Sequence, residues 1–85
     1  MEVLYTPHFK RDAKRLPVSM RKLVEERLSL FKKNPFDPSL KTHKLEGVLR
    51  EYWSFSIDYR HRVICTFEGK STVVLHAIGD HSVYE

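Results

Sequence analysis

The stretch that decides the fold is "YWSFSIDYRHRVICTF", residues 52–67, in which apolar and polar side chains alternate at every second position. A period of two is typical of strands with one buried face and one polar face. The apolar positions follow this period in two runs, which are Trp53, Phe55, Ile57 and Tyr59, then Val63, Cys65 and Phe67. The stretch therefore predicts two successive strands that send large apolar side chains into one core.

Further strands are predicted on both sides of this stretch. The segment "EGKS", residues 68–71, is typical of a hairpin turn in which Gly69 takes a backbone angle that other residues avoid. It leads into "TVVLHAIG", residues 72–79, which is predicted to be the last strand. Near the start of the chain, "EVLYT", residues 2–6, is a short β-prone segment.

Two helices are predicted between the first strand and the stretch at 52–67. Thr6 followed by Pro7 is a helix start, and apolar spacing extends this helix over about residues 7–16, with Pro17 after it. Apolar residues at every third or fourth position predict a second helix over about 18–33, which Pro35 ends. A long loop follows, "NPFDPSLKTHKLEG", residues 34–47.

The order β-α-α-β-β-β predicts an α+β fold in a single domain, residues 1–85, with two helices packed on one face of a mainly antiparallel sheet. Two helices cannot cover both faces of such a sheet. We therefore expect the second face, which carries Ser54, Ser56, Asp58 and Arg62, to be open and to receive an extended ligand.

Composition narrows the possible functions. Cys65 is the only cysteine, which excludes an intrachain disulfide and a cysteine cluster for zinc. No apolar run is long enough to span a membrane, and "MEVLYTPHFK" lacks a signal-peptide pattern, so a cytoplasmic protein is expected. The net charge is +4, with +6 in residues 1–50 and −2 in residues 51–85. A basic surface favours polyanions, above all nucleic acid.

Three segments in order, "HKLEG" (43–47), "YWSFSIDYRHRVI" (52–64) and "LHAIGDHSVYE" (75–85), resemble the RelE/YoeB/YafQ superfamily of bacterial and archaeal toxins. The resemblance covers essentially the whole chain and implies a RelE-like fold. It implies an endoribonuclease without metal or cofactor, which cuts mRNA in the ribosomal A site by attack of a 2′-hydroxyl on its own 3′-phosphate. The implied partners are the ribosome, its mRNA and a cognate antitoxin protein, through which the toxin contacts operator DNA.

The resemblance also assigns roles to individual residues. Arg62 matches the arginine that contacts the scissile phosphate, His81 the general acid, Tyr84 the ring that stacks on the nucleotide, and His43 a loop histidine of the YafQ type. Further RNA contacts are expected at three basic residues, which are Lys41, Lys44 and Arg60. Histidine suits proton transfer near neutral pH, arginine suits phosphate, and aromatic rings suit unpaired bases. By contrast, His76 and Trp53 are expected to be structural.

The chain also departs from the family in ways that leave alternatives open. Serines at 54 and 56 stand where RelE has lysines, and the loop glutamate of the YoeB type has no counterpart, because Glu46 is displaced. The general base is therefore open between His43 and Asp58. ParE-type toxins, which poison DNA gyrase, are an alternative that His81 argues against. An interaction domain of the same fold without activity is a third hypothesis.

Overall fold

The computed structural model describes residues 1–80 and confirms the predicted order of elements, with one strand added. The helices are α1 and α2, and the strands are β1 to β5, with these bounds: β1 Glu2–Tyr5, α1 Pro7–Arg15, α2 Arg21–Lys33, β2 His43–Lys44, β3 Trp53–Ser56, β4 Arg62–Glu68 and β5 Thr72–Gly79. Short 3₁₀ turns lie at Val18–Met20, Pro38–Leu40 and Gly47–Leu49. Neither helix in this part of the chain is long and apolar enough to cross a membrane.

The five strands form one sheet in the order β1-β5-β4-β3-β2. Three of the four pairings are antiparallel, and β1 runs parallel to β5, so the sheet is mainly antiparallel, as predicted. The β4–β5 hairpin turns at Gly69, whose φ is 67°, also as predicted. The added strand, β2, lies inside the segment predicted to be a loop, because two residues are too few to show a period.

The first helix begins where Thr6 and Pro7 predict. The Thr6 hydroxyl accepts a hydrogen bond from the Phe9 amide at 3.0 Å and donates one to the His76 carbonyl at 3.2 Å, which ties the helix start to β5. The helix ends at Arg15, one residue earlier than predicted, and α2 begins at Arg21 rather than at 18, because residues 18–20 form a 3₁₀ turn.

The core lies between the helices and one face of the sheet. Phe31 of α2 and Phe55 of β3 are fully buried and stack with ring centroids 4.1 Å apart. The other buried members of the core are Phe9, Leu40, Ile57, Val63, Cys65, Val73, Leu75 and Ile78. Trp53 packs against this cluster, in agreement with a structural role.

The prediction of an open second face is wrong at its centre, where Ser54 is fully buried and Ser56 is 7% exposed. Both serines are short, and their cross-strand neighbours are longer: His43 and Ile64 flank Ser54, and Arg62 lies opposite Ser56. Cross-strand neighbours of this size cover part of a short serine side chain.

The predicted alternation also ends earlier than expected, because β3 stops at Ser56 and residues 57–60 bend. The Asp58 carboxylate accepts hydrogen bonds from the amides of Arg60 and His61, at 2.9 and 2.7 Å, and so folds the chain into a tight turn. Tyr59, which was predicted to be on the core face, is instead 88% exposed at the tip of this turn.

Candidate active site

A cavity of about 220 Å³ opens where the end of β3 meets α2 and the 3₁₀ turn at Pro38–Leu40. Its lining combines cationic and hydroxyl-bearing side chains with a single carboxylate, and the lining residues are Arg27, Ser39, Lys41, Ser56, Ile57, Asp58, Tyr59 and Arg62. Three cations against one carboxylate favour an anionic ligand, and a phosphodiester is such a ligand.

Arg62 stands at the start of β4, directly opposite Ser56 of β3. Its Nη1 donates to the Ser56 hydroxyl oxygen at 2.9 Å. Because Ser56 is neutral and buried, this contact holds the guanidinium without cancelling its charge. A guanidinium has five N–H donors in one plane, so Arg62 can grip a phosphate with its remaining donors.

Arg27 reaches the same cavity from α2, and sequence reasoning missed it. Its Nη1 donates to the Ser39 hydroxyl at 3.3 Å, and that hydroxyl donates to Asp37 Oδ1 at 2.6 Å. A signal for Arg27 exists in the sequence. It lies four residues after Leu23 and four before Phe31, and so stands on the stripe of α2 that faces the core.

The His43 ring is held by a contact with the backbone carbonyl of Lys41. Lys41 adopts a left-handed conformation with φ 53°, directly after the turn at Pro38–Leu40. His43 Nδ1 lies 2.8 Å from the Lys41 carbonyl oxygen. A carbonyl only accepts hydrogen bonds, so Nδ1 carries the proton and Nε2 of the neutral ring keeps its lone pair.

The strand register places His43 on the same sheet face as Arg62. His43 pairs with Ser54, and Ser56, two residues further along β3, pairs with Arg62. Two strand spacings across the sheet and the rise of two residues along β3 put the Cα atoms of His43 and Arg62 roughly 12 Å apart. His43 is thus beside the cavity rather than in its lining.

Asp58 forms part of the cavity wall, but its carboxylate already accepts hydrogen bonds from residues of its own turn. Burial is the largest single influence on its pKa and acts to raise it. Hydrogen bonds from the amides of His61 and Arg60 and from the His61 ring together outweigh burial, so the pKa of Asp58 lies below its ordinary value. A carboxylate of lowered pKa is a poor proton acceptor, and Asp58 is better suited to holding the turn.

The structure does not bring all the predicted residues together. Lys44 pairs with Trp53, which places it on the opposite sheet face from His43. Arg60 is exposed in the turn after Asp58 and does not line the cavity. Both His81 and Tyr84 lie outside the described residues.

The environment of His76 agrees with a structural role. Its Nε2 lies 2.8 Å from the Thr66 hydroxyl oxygen, and its ring meets Tyr52 edge-on at a centroid distance of 5.4 Å. Burial lowers the pKa of His76. The imidazole is therefore held neutral within the sheet.

Several solved structures share this architecture. YafQ from E. coli strain BL21(DE3) superposes with a TM-score of 0.75 at 16% identity, over 98% of this chain and 96% of that chain. A YoeB/ParE toxin from Agrobacterium tumefaciens has a TM-score of 0.78 at 22% identity, over 95% and 99%. The RelBE2 toxin–antitoxin complex from Mycobacterium tuberculosis has a TM-score of 0.76 at 20% identity, over 94% and 96%.

The fold is that of the RelE/YoeB/YafQ toxins. The resemblance inferred from the three sequence segments is thus confirmed for the RelE-like fold. No family model matches the chain, and no curated protein matches its sequence at a significant level. Since the identities to these toxins are low, the structural likeness shows the RelE-like fold alone.

Proposed function

We propose that this chain is the toxin of a type II toxin–antitoxin pair and an endoribonuclease that cuts mRNA in the ribosomal A site. The observation that carries the proposal is the cavity at the end of β3, where Arg62 and Arg27 are held by neutral serines and Lys41 adds a third cation. The RelE-like fold supports it, because proteins of this fold include YafQ and the RelBE2 toxin–antitoxin complex.

The proposed reaction uses the RNA's own 2′-hydroxyl as the nucleophile. A base removes the hydroxyl proton, the oxygen attacks the adjacent phosphorus, and the bond to the 5′-oxygen breaks while that oxygen receives a proton from an acid. The products are a 2′,3′-cyclic phosphate and a 5′-hydroxyl end. Arg62 and Lys41 would stabilise the negative charge that builds up on the phosphate oxygens.

We assign the base to His43 and the acid to His81. The contact of His43 Nδ1 with the Lys41 carbonyl supports the first assignment, because it leaves Nε2 as the proton-accepting nitrogen of the neutral ring. The hydrogen-bonded carboxylate of Asp58, whose pKa is lowered, is the poorer candidate. The assignments of His81 as acid and Tyr84 as a stacking ring rest on the family resemblance. Arg60 is proposed to contact RNA outside the cavity, and Lys44 to contact it from the other sheet face.

The test is cleavage of ribosome-bound message, with the product ends identified. Arg62→Ala should lower the single-turnover rate by about 10²–10³-fold, the usual scale for losing one preorganised charge donor. Lys70→Ala removes the same charge at the tip of the β4–β5 hairpin and serves as the matched control. Equal rates for the two variants would contradict the assignment of Arg62.

The role of His81 needs its own experiment. His81→Ala should lower cleavage by about 10²–10⁴-fold and leave binding nearly unchanged, because affinity rests on lysines and arginines. A folded His81→Ala protein with full activity would remove this histidine from the mechanism. Melting curves recorded in parallel separate a catalytic loss from a loss of folded protein.

The proposed reaction uses neither a metal nor a cofactor. Among residues 1–80, no group of three histidine, cysteine, aspartate or glutamate side chains is arranged to hold a metal ion. If the reaction runs on histidine and arginine side chains as proposed, any cleavage of free RNA by the isolated protein should persist in the presence of a chelator. A strict requirement for an added divalent ion would contradict this part of the proposal.

The proposed partners are the ribosome with its mRNA and a cognate antitoxin, and the proposed compartment is the cytoplasm. Operator DNA would be contacted only through the antitoxin complex. Co-expression with the antitoxin should relieve growth arrest caused by the toxin.

A ParE-type gyrase inhibitor is the second candidate function, since a YoeB/ParE toxin from Agrobacterium tumefaciens shares the fold. Inhibition of supercoiling without any RNA cleavage would favour it.

A further inference from the structure

Tyr59 is an aromatic residue whose side chain is largely exposed to solvent. It is 88% exposed and lies on the wall of the cavity that Arg62 and Lys41 also line. The other tyrosines among residues 1–80 have ring partners: Tyr5 lies 5.6 Å from Phe9, and Tyr52 lies 5.4 Å from His76. Tyr59 is thus set apart by both exposure and position.

The turn that carries Tyr59 is held on both sides. Asp58 accepts hydrogen bonds from the amides of Arg60 and His61, and the Ile57 amide donates to the His61 carbonyl at 2.9 Å. The Ile57 side chain is only 1% exposed and anchors the turn in the core. A ring presented on such a turn binds a flat partner without first having to order its own backbone.

The surroundings of the ring indicate which flat partner fits. The same cavity is lined by three basic residues, Arg27, Arg62 and Lys41. A nucleotide offers a planar base attached to a phosphate, so it can stack on the ring while its charge meets the cations. The cavity of about 220 Å³ is smaller than the roughly 300–1,000 Å³ of pockets that enclose a drug-sized ligand, so it would hold only part of one nucleotide, such as its phosphate, while the base lies on the exposed ring.

We propose that Tyr59 stacks on the nucleobase next to the scissile phosphate and, with Arg27, forms a nucleotide subsite. This inference rests on the proposed ribonuclease function and extends it to the substrate's base. Base–aromatic stacking tolerates any base, so the subsite would add affinity without strong sequence preference.

The test compares messages on ribosomes whose A-site codons are intact or carry one abasic nucleotide, each position in turn. With the intact codon, Tyr59→Ala should lower the single-turnover rate of cleavage, measured with toxin in excess of message but below its saturating concentration, by about 10- to 100-fold, the scale of one lost stacking interaction. Tyr59→Phe keeps the ring and should stay within about twofold of the original protein. At the stacked position, the abasic message should be cut equally by the original protein and by Tyr59→Ala, because the base is already missing.

The melting temperature of Tyr59→Ala should be unchanged, since an exposed ring contributes little to packing. If Tyr59→Ala cuts the intact message at the original rate while Arg62→Ala does not, the subsite is wrong and the ribonuclease proposal stands. A variant that loses only its binding to a purified antitoxin would place Tyr59 in a protein contact and overturn the subsite. If the original protein cuts no RNA, the ribonuclease proposal fails and the subsite fails with it.

Discussion

Serine hydroxyls hold both arginines of the candidate active site, and this choice of partner has electrostatic consequences. Ser56 accepts from Arg62, and Ser39 accepts from Arg27. A carboxylate in either place would hold the guanidinium as firmly but would cancel its charge. At Arg62 the neutral anchor therefore combines a fixed geometry with an uncompensated positive charge, which is what binding and stabilising a phosphate requires. Arg27 differs, because the Ser39 hydroxyl that holds it is bonded to the Asp37 carboxylate, which also attracts Arg27.

Substitutions at Ser56 distinguish the effect of its hydrogen bond to Arg62 from the effect of a negative charge beside Arg62. Ser56→Ala removes one hydrogen bond to Arg62 and should lower RNA cleavage by about fivefold, because such a bond contributes about 1 kcal/mol. Ser56→Asp keeps a partner for Arg62 but adds a negative charge beside the phosphate, so it should lower cleavage further. Single-turnover rates on ribosome-bound message measure both effects. Cleavage by Ser56→Asp at or above the rate of Ser56→Ala would refute this view of the anchor.

Acid should weaken the turn that Asp58 holds. Its folded pKa is lowered, so its stabilisation is present above the unfolded pKa of about 3.9 and is lost as pH falls through the folded value. Asp58→Asn should lower the free energy of unfolding by about 1 kcal/mol at pH 7, a modest loss because the group is partly exposed. Urea titrations at pH 7 and pH 3 measure this difference. A difference that stays constant down to pH 3 would show that the carboxylate charge is not involved.

Some of the site could be predicted from sequence, and the rest depends on folding. Arg62 was identified from "RHRVI", and the structure places it with Lys41 on one cavity. Arg27 is remote in sequence from both, and only the packing of α2 beside the turn at Pro38–Leu40 brings it there. Residue patterns predict the local structure of one element, but they do not predict which separate elements come into contact.

At the scale of elements, periodicity predicted long strands and helices well and short features poorly. The strands with five or more residues, β4 and β5, appear where they were predicted, except that β4 extends to Glu68, the first residue of the predicted turn. By contrast, β2 has two residues and no readable pattern. The end of β3 was also missed, because Ile57 and Tyr59 continue the alternation while Asp58 turns the chain. Side-chain hydrogen bonding to the backbone overrides periodicity at such a position.

The centre of β4 should be chemically inert until the protein unfolds. Cys65 is fully buried, and burial raises the pKa of its thiol to about 12. At pH 8 its thiolate fraction in the folded protein is therefore on the order of 10⁻⁴, and a thiol reagent should modify Cys65 at a rate that follows the unfolded fraction. The measurement is the labelling rate across a urea titration. A Cys65→Ser, Val48→Cys variant is the control, because position 48 is 97% exposed and should react at once. Rapid labelling of native Cys65 would contradict the prediction.

At the scale of the molecule, the first strand completes the sheet beside the last one. Glu2 pairs with Thr72 and Tyr5 with Leu75, so residues 70 positions apart become neighbours. The sequence predicted a β-prone segment at 2–6 but not its partner or its direction, because pairing between distant strands leaves no local pattern. This parallel pair lies at the edge of the sheet opposite β2 and away from the candidate active site.

The distance between β1 and the cavity allows stability and activity to be separated. The amides of Glu2 and Thr6 donate to the Ser71 and Leu75 carbonyls, so Leu4, midway between them, also directs its amide toward β5. Leu4→Pro removes that donor and should lower the free energy of unfolding by about 1–3 kcal/mol, the cost of leaving the carbonyl on β5 without its partner. Leu4→Ala keeps the amide and loses only a side chain that is 45% exposed, so it should cost far less.

Urea unfolding measures the two losses, and aggregation on mild heating should appear first in Leu4→Pro, because β5 then becomes an unprotected apolar edge. The rate of RNA cleavage per folded molecule should be the same in both variants and in the original protein, because Arg62, Lys41 and Arg27 keep their positions at the other side of the sheet. Equal stability of Leu4→Pro and Leu4→Ala would mean that the parallel pairing contributes little. A loss of cleavage per folded molecule in Leu4→Pro would mean that the pairing of β1 with β5 also shapes the cavity.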